Sequence, residues 1–142
     1  MATVAFCPTD IEEHPLARTV SLQVAPFIIT PPPADLRWIN HVAANLAGTS
    51  EQLVLVFHGE SSQYAPALGF SRKSLRCPAV GYVLVDPVMP QVGGDYGDWP
   101  DAPVTIVLTE DAPDYAQDAA RSATLRGWQV TTDPLSVVLS NY

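Results

Sequence analysis

Positive charge and sulfur are both scarce in this chain. Seven Lys and Arg stand against fifteen Asp and Glu, a formal net charge of −8 over 142 residues. Binding to nucleic acid rests on cations that neutralise phosphates. The one local cluster, Arg72, Lys73 and Arg76, reads as a solvated helix face, so nucleic acid is not an expected partner. Cys7 and Cys77 are too few and too far apart for a disulfide framework or a zinc knuckle. Each lies in an apolar setting beside a proline, as a buried free thiol does. No apolar run approaches the ~18 residues that span a bilayer. The opening MATVAFCPTDIEEHP lacks the basic n-region of a secretory signal. A cytoplasmic protein without a membrane partner is expected.

Histidine is scarce as well: His14, His41 and His58 all precede residue 60, and none follows. They form a metal site only if the fold happens to gather them, and His41 falls within an expected helix, on its outer face. The pair His58-x-Glu60 matches the first half of the zinc-deaminase signature H-x-E. Its second half, P-C-x-x-C, is missing, since the chain offers only Cys77-Pro78. No metal and no cofactor are expected.

Apolar residues, by contrast, make up 47% of the chain and charged ones 15%, the composition of a globular protein with one core. Short apolar runs rich in β-branched residues recur along it. Ala2–Cys7, Thr19–Val24, Leu53–Phe57, Gly81–Val85 and Val104–Leu108 are expected strands, with Trp128–Thr131 as a sixth. The third to fifth are almost continuously apolar, as central parallel strands covered on both faces are. Asp35–Ala47 sets Leu36, Ile39, Ala43 and Leu46 on one helical face, behind a proline run and ahead of Gly48. Pro113–Arg126 begins with proline and stops at Gly127. A third helix is expected over Gln63–Leu75. The fourteen prolines fall mainly in connections, notably Pro31–Pro33 and the irregular loop Pro87–Pro103.

Alternating strands and helices predict an α/β fold, a three-layer sandwich around a mostly parallel sheet of five or six strands, in one domain. Ligands in such sheets bind at the carboxyl ends of strands. Those ends carry Pro8–Thr9, His58–Ser62, Asp86–Met89 and Thr109–Asp111.

The order of these pieces has a further implication. Strand, sharp turn, helix, a strand ending VLVDPVMP, a loop, VTIVLT and a helix ending RGW resemble the second half of an α/β-hydrolase without a cap domain. In that family the turn after the central strand reads G-x-S-x-G, with the nucleophile at its centre. Here it reads Phe57-His58-Gly59-Glu60-Ser61, so glycine stands in the serine's place. The resemblance also implies a histidine before the final stretch, TTDPLSVVLSNY, and none is there. Cys7-Pro8 stands where the family has His-Gly, and proline has no N–H to donate to an oxyanion hole. A hydrolase turn without its hydrolytic serine is the expectation.

Three functional readings follow. In the first, the protein binds a small, largely apolar organic molecule at the strand ends. It holds that molecule, or promotes a cyclisation, elimination or isomerisation there. His58 and Glu60 would be the acid–base pair, the backbone around Gly59–Ser61 would supply donors, and the resemblance implies Asp86 or Glu110 as a remnant of the family's acid. Tyr64, Met89, Tyr96 and Trp99 would line the pocket, with Ser62 beside it. The resemblance extends this to a tailoring role in bacterial secondary metabolism. Taken singly, Asp86 suits an Asx-turn before Pro87, and Ser61 and Ser62 suit helix capping. In the second reading, a pseudoenzyme acts as a partner subunit or homodimer that covers apolar surface. In the third, Ser61 or Ser62 is a relocated nucleophile served by His58.

Overall fold

A strand covered on both faces needs apolar residues at every position, and β3 and β4 satisfy that requirement. In the computed structural model, which describes residues 2–24, 26–34, 37–49, 51–89 and 102–142, β3 is Leu53–His58 and β4 is Gly81–Val85. Every residue of the two strands except His58 is buried. They form the centre of a six-stranded parallel sheet in the order β2-β1-β3-β4-β5-β6. The others are β1 (Thr3–Phe6), β2 (Phe27–Ile29), β5 (Val104–Val107) and β6 (Gln129–Thr131).

Strand alternation sorts the side chains into two cores. Ala5, Leu53, Leu55, Phe57, Tyr82, Leu84 and Ile106 face one way. There they meet α2 (Trp38–Leu46), α3 (Ala65–Ser74) and α4 (Asp114–Leu125). Val4, Phe6, Val54, Val56, Val83, Val85 and Val107 face the other way, toward α1 (Ala17–Val20) and α5 (Leu135–Leu139). The result is a three-layer α/β sandwich. On α4 the buried stripe is alanine only, Ala116, Ala119, Ala120 and Ala123, which lets the helix approach the sheet closely. Gly127, at φ +78°, ends it in the left-handed conformation that glycine adopts freely.

Three expectations are corrected. Thr19–Val24 alternates apolar and polar residues as a strand should, yet residues 17–20 are helical and Leu22 is 86% exposed. The strand in that region is Phe27–Ile29, whose run is cut short by the prolines after Thr30. Helix α2 buries Trp38, Val42 and Leu46, with Ile39 and Ala43 at the margin of the core, so its inner face is rotated from the one expected. Asp35 and Leu36 lie outside the described residues.

The third correction is Arg72. Lys73 and Arg76 are exposed, but Arg72 is buried, and its guanidinium donates to the Leu46 carbonyl at 2.8 Å and the Thr49 carbonyl at 3.2 Å. The last carbonyls of a helix have no intrahelical donor. A buried cation that caps them ties α3 to the end of α2.

The doubly wound order creates a switch point. From β1 the chain moves outward to β2, then returns past β1 to β3 and continues the other way. The carboxyl ends of β1 and β3 therefore lie side by side with connections leaving in opposite directions, which is where open α/β sheets form a crevice.

Candidate functional site

Strand β3 delivers His58 to the carboxyl edge, and the chain then turns sharply through Gly59. That residue has φ +56°, and a Cβ built on it meets no atom of the described residues within 4 Å, so the position is left-handed with room for a side chain among them. Its carbonyl accepts the Val88 N–H at 3.1 Å, which ties the turn to the segment leaving β4. A 3-10 helix, Gly59–Tyr64, follows and runs directly into α3.

The serines are engaged in this turn or enclosed by it. The Ser61 hydroxyl donates to the His58 carbonyl at 2.7 Å and accepts the His58 N–H at 3.3 Å. That is capping chemistry, and the hydroxyl proton is held by a carbonyl and not by a base. Ser62 is fully buried, with no hydrogen-bond partner for its hydroxyl among the described residues. Glu60 is exposed, and among the described residues no hydrogen bond or ion pair joins it to His58. The expected His58–Glu60 pair is therefore replaced by another partner for His58.

That partner is His14. The two rings meet edge to face, 5.5 Å between centroids and 78° between planes, with Phe6 beyond His14 at 5.8 Å. His14 is buried, and both ring nitrogens are occupied. Nδ1 accepts the Leu16 N–H at 3.1 Å, which leaves Nε2 protonated to donate to the Phe57 carbonyl at 3.2 Å. Burial, aided by His58, pushes the His14 pKa down to about 3. Burial also holds His58 below the usual histidine range, although the Asp86 and Glu12 carboxylates nearby pull it upward. Both rings are neutral near pH 7. His41 does not join them; its Nε2 lies 2.9 Å from the Pro31 carbonyl. Among the described residues no group of three or more His, Cys, Asp or Glu is placed to hold a metal ion. Burial likewise raises the Cys7 thiol far above its ordinary pKa, which leaves it unreactive.

Asp86 ends β4 at φ +46°, an unusual conformation for a residue with a Cβ, though Asp tolerates it better than most. Its buried carboxylate does not close an Asx-turn on its own segment. It reaches across to the end of β5, where Oδ1 accepts the Thr109 N–H at 3.0 Å and Oδ2 the Thr109 hydroxyl. Asp86 thus links two strand ends.

The remaining candidates lie on the other face. Tyr64 stacks on Trp38, 4.6 Å between centroids and 23° between planes, and Trp38 in turn packs against Phe57. Met89 packs against that same core. Tyr96 and Trp99, with most of the Pro87–Pro103 loop, lie outside the described residues. His58 and Tyr64, expected in one pocket, flank the sheet edge on opposite sides, because Phe57 and His58 are consecutive strand residues.

Beside Tyr64 opens a cleft of about 640 Å³, lined among others by Asp10, Pro33, Arg37, Trp38, Ile39 and Tyr64. Every lining segment follows the carboxyl end of β1, β2 or β3. The Trp38 indole N–H donates to the Pro8 carbonyl at 2.9 Å, and the Tyr64 hydroxyl donates to Asp10 Oδ1 at 3.2 Å. Three residues of this edge were not singled out by sequence, Trp38, Asp10 and Arg37, and His14 was weighed only as one of three scattered histidines. Only Trp38 carried a signal, an aromatic just behind a proline run at the start of an apolar helix. Among the described residues no helix is long and apolar enough to cross a membrane. Compared with models of protein families, with curated proteins and with solved structures, the chain matches none.

Proposed function

We propose that this chain is an α/β-hydrolase-like small-molecule-binding protein without the hydrolytic serine, and that it holds a largely apolar organic ligand in the cleft at the switch point. The carrying observation is the cleft itself, at the ends of β1–β3, with the stacked Trp38–Tyr64 pair as its wall. Ligand sites in α/β proteins concentrate at this position, and apolar walls with a few polar groups are their usual lining.

The turn supports the loss of hydrolysis. A nucleophile elbow presents its residue on a sharp, strained strand-to-helix turn with the side chain exposed. Gly59 has the left-handed backbone and the open space but no side chain. The hydrogen bonding of Ser61 and the burial of Ser62 argue against a relocated nucleophile. His58 stands on the opposite side of the sheet edge from Tyr64 and does not line the cleft, so this reading is one of binding, and the cyclisation, elimination or isomerisation expected of His58 is not part of it.

The test follows the Trp38 indole N–H by NMR while planar organic molecules are screened, in parallel with fluorophosphonate treatment and intact-mass analysis. A bound molecule that shifts the Trp38 signal, with no adduct on serine, is the expected result. A stoichiometric adduct on Ser61 or Ser62 would restore the hydrolase reading and overturn this one.

A second reading, a partner subunit, is favoured by one feature. Residues 19–34 carry no charge in a chain of net charge −8. They include Leu22, 86% exposed, and Phe27, 44% exposed on the edge strand β2. A monomer at all concentrations by light scattering would count against it.

A further inference from the structure

We propose that the ligand of the switch-point cleft is a planar carboxylate carrying a hydrogen-bond donor at its other end, with the carboxylate on Arg37 and the donor on Asp10. This rests on the cleft reading above and narrows its chemistry.

Four of the seven cations are spent on other partners. Arg18 is paired with Glu13 and Arg121 with Asp118. Arg72 is buried on the carbonyls of Leu46 and Thr49, and the Arg126 guanidinium lies over the Trp128 ring, 5.1 Å from its centroid. Lys73 and Arg76 sit at the end of α3, just ahead of β4. Arg37 is exposed at the amino end of α2, it lines the cleft, and its guanidinium makes no hydrogen bond or ion pair with a described residue. A guanidinium is a planar fork of donors that matches a carboxylate with two parallel hydrogen bonds.

Asp10 supplies the complementary end. It stands in a turn fixed by Thr9, whose N–H donates to the Glu12 carbonyl at 2.8 Å. The Thr9 hydroxyl oxygen accepts the N–H groups of Ile11 and Glu12 at 3.3 and 3.1 Å. The Asp10 carboxylate receives the Tyr64 hydroxyl at 3.2 Å and retains acceptor capacity for a further donor. Among the described residues Asp10 and Arg37 do not pair with each other, although both line the cleft. Two opposite charges in one cleft that do not neutralise each other are suited to a ligand that meets both.

The wall between them selects for shape. The Trp38 N–H and the Tyr64 hydroxyl are already engaged. Trp38 is buried behind Tyr64, so what the wall offers a ligand is the aromatic surface of the half-buried Tyr64, completed by Pro33 and Ile39. A flat apolar body gains both area burial and stacking there, the latter worth about 1 kcal/mol for an aromatic pair.

The experiment uses the full chain with three probes of one shape: 4-hydroxycinnamate, cinnamate and 4-hydroxycinnamyl alcohol. Calorimetry gives affinity and the Trp38 indole signal reports location. 4-Hydroxycinnamate is expected to bind most tightly and to shift Trp38. Arg37→Gln should raise its Kd about tenfold, the loss of one charge-assisted contact. Asp10→Asn should raise it about threefold, toward the value for cinnamate. Both residues are exposed, so an unchanged unfolding midpoint will show that the variants are folded. If the alcohol binds as tightly as the carboxylate, or if Arg37→Gln has no effect, the ligand class is overturned while the cleft stands as an apolar site. If no probe binds more tightly than about 1 mM, the ligand class is also overturned. If in addition no molecule of the wider screen moves Trp38, the cleft reading fails with it.

Discussion

His58 meets His14 edge to face, 5.5 Å between ring centroids, and its presence adds to burial in keeping His14 uncharged. His14 has the tighter constraint. Its nitrogens are committed to the Leu16 N–H and the Phe57 carbonyl, so a second proton would have to displace a donor inside the fold.

The consequence is a stability that depends on pH. The His14 pKa is about 3 in the folded chain, against an ordinary value near 6.5. Between those values the unfolded chain binds the proton and the folded chain does not. The contribution is therefore complete above about pH 6.5 and is lost progressively as pH falls toward the folded value. From about pH 7.5 to about pH 5 the loss is on the order of 2 kcal/mol. Urea midpoints at both pH values, for the native chain and for His14→Gln, should show a smaller loss in the variant. Equal losses would mean that His14 is not the titrating group.

Asp86 couples to the same pair from β4. Its carboxylate raises the His58 pKa, against the larger effect of burial. Asp86→Asn should therefore lower the His58 value further, read from the imidazole proton signals during a pH titration. An upward shift would contradict the arrangement. The amide can still accept the Thr109 N–H, so its stability cost should be small. Asp86→Ala loses both bonds to Thr109 and places a less tolerant residue at φ +46°. It should cost about 2–3 kcal/mol.

At Gly59 conformation and sterics separate. A Cβ there meets no atom of the described residues within 4 Å, yet the backbone is left-handed. Gly59→Ala should destabilise by about 1 kcal/mol from backbone strain alone. Gly59→Ser should leave the hydrolysis of an activated ester at background, since the neighbouring imidazole of His58 faces His14. Turnover above background would show a base within reach of the turn.

Arg72 offers a test of packing. Arg72→Ala removes the guanidinium from the carbonyls of Leu46 and Thr49, leaves Leu46 with only the Thr49 N–H, and empties a buried volume. A loss of about 3 kcal/mol is expected from the combined effects. Arg72→Lys should recover part of it, because an ammonium can still reach one carbonyl. A neutral Arg72→Ala, measured by chemical denaturation, would place the guanidinium at the surface.

Much of the architecture is legible in local pattern. Leu53–Phe57 and Gly81–Val85 could be assigned because a strand buried on both faces must be apolar throughout. Pro113 and Gly127 bracket α4 for reasons of backbone geometry. Phe27–Ile29 could not be assigned in the same way. A three-residue strand has no measurable period, and the better alternation just before it belongs to a helix and a turn.

The candidate site was legible only as a location. Its chemistry depends on pairs far apart in the chain: His14 with Phe57, Trp38 with Tyr64, Asp10 with Tyr64, Asp86 with Thr109. Nothing about a lone histidine in EEHP announces that it will be buried, or about Arg72 in SRKSLR that it will cap another helix.

Local pattern was enough to give the α/β class and the parallel sheet, because period, propensity and turn residues act over a few neighbours. Which groups share the carboxyl edge of that sheet follows from its three-dimensional arrangement. Strand order places β1 beside β3, and strand alternation sends Phe57 and His58 to opposite faces. Burial then fixes which side chains are neutral, which are spent on carbonyls, and which remain exposed toward the cleft.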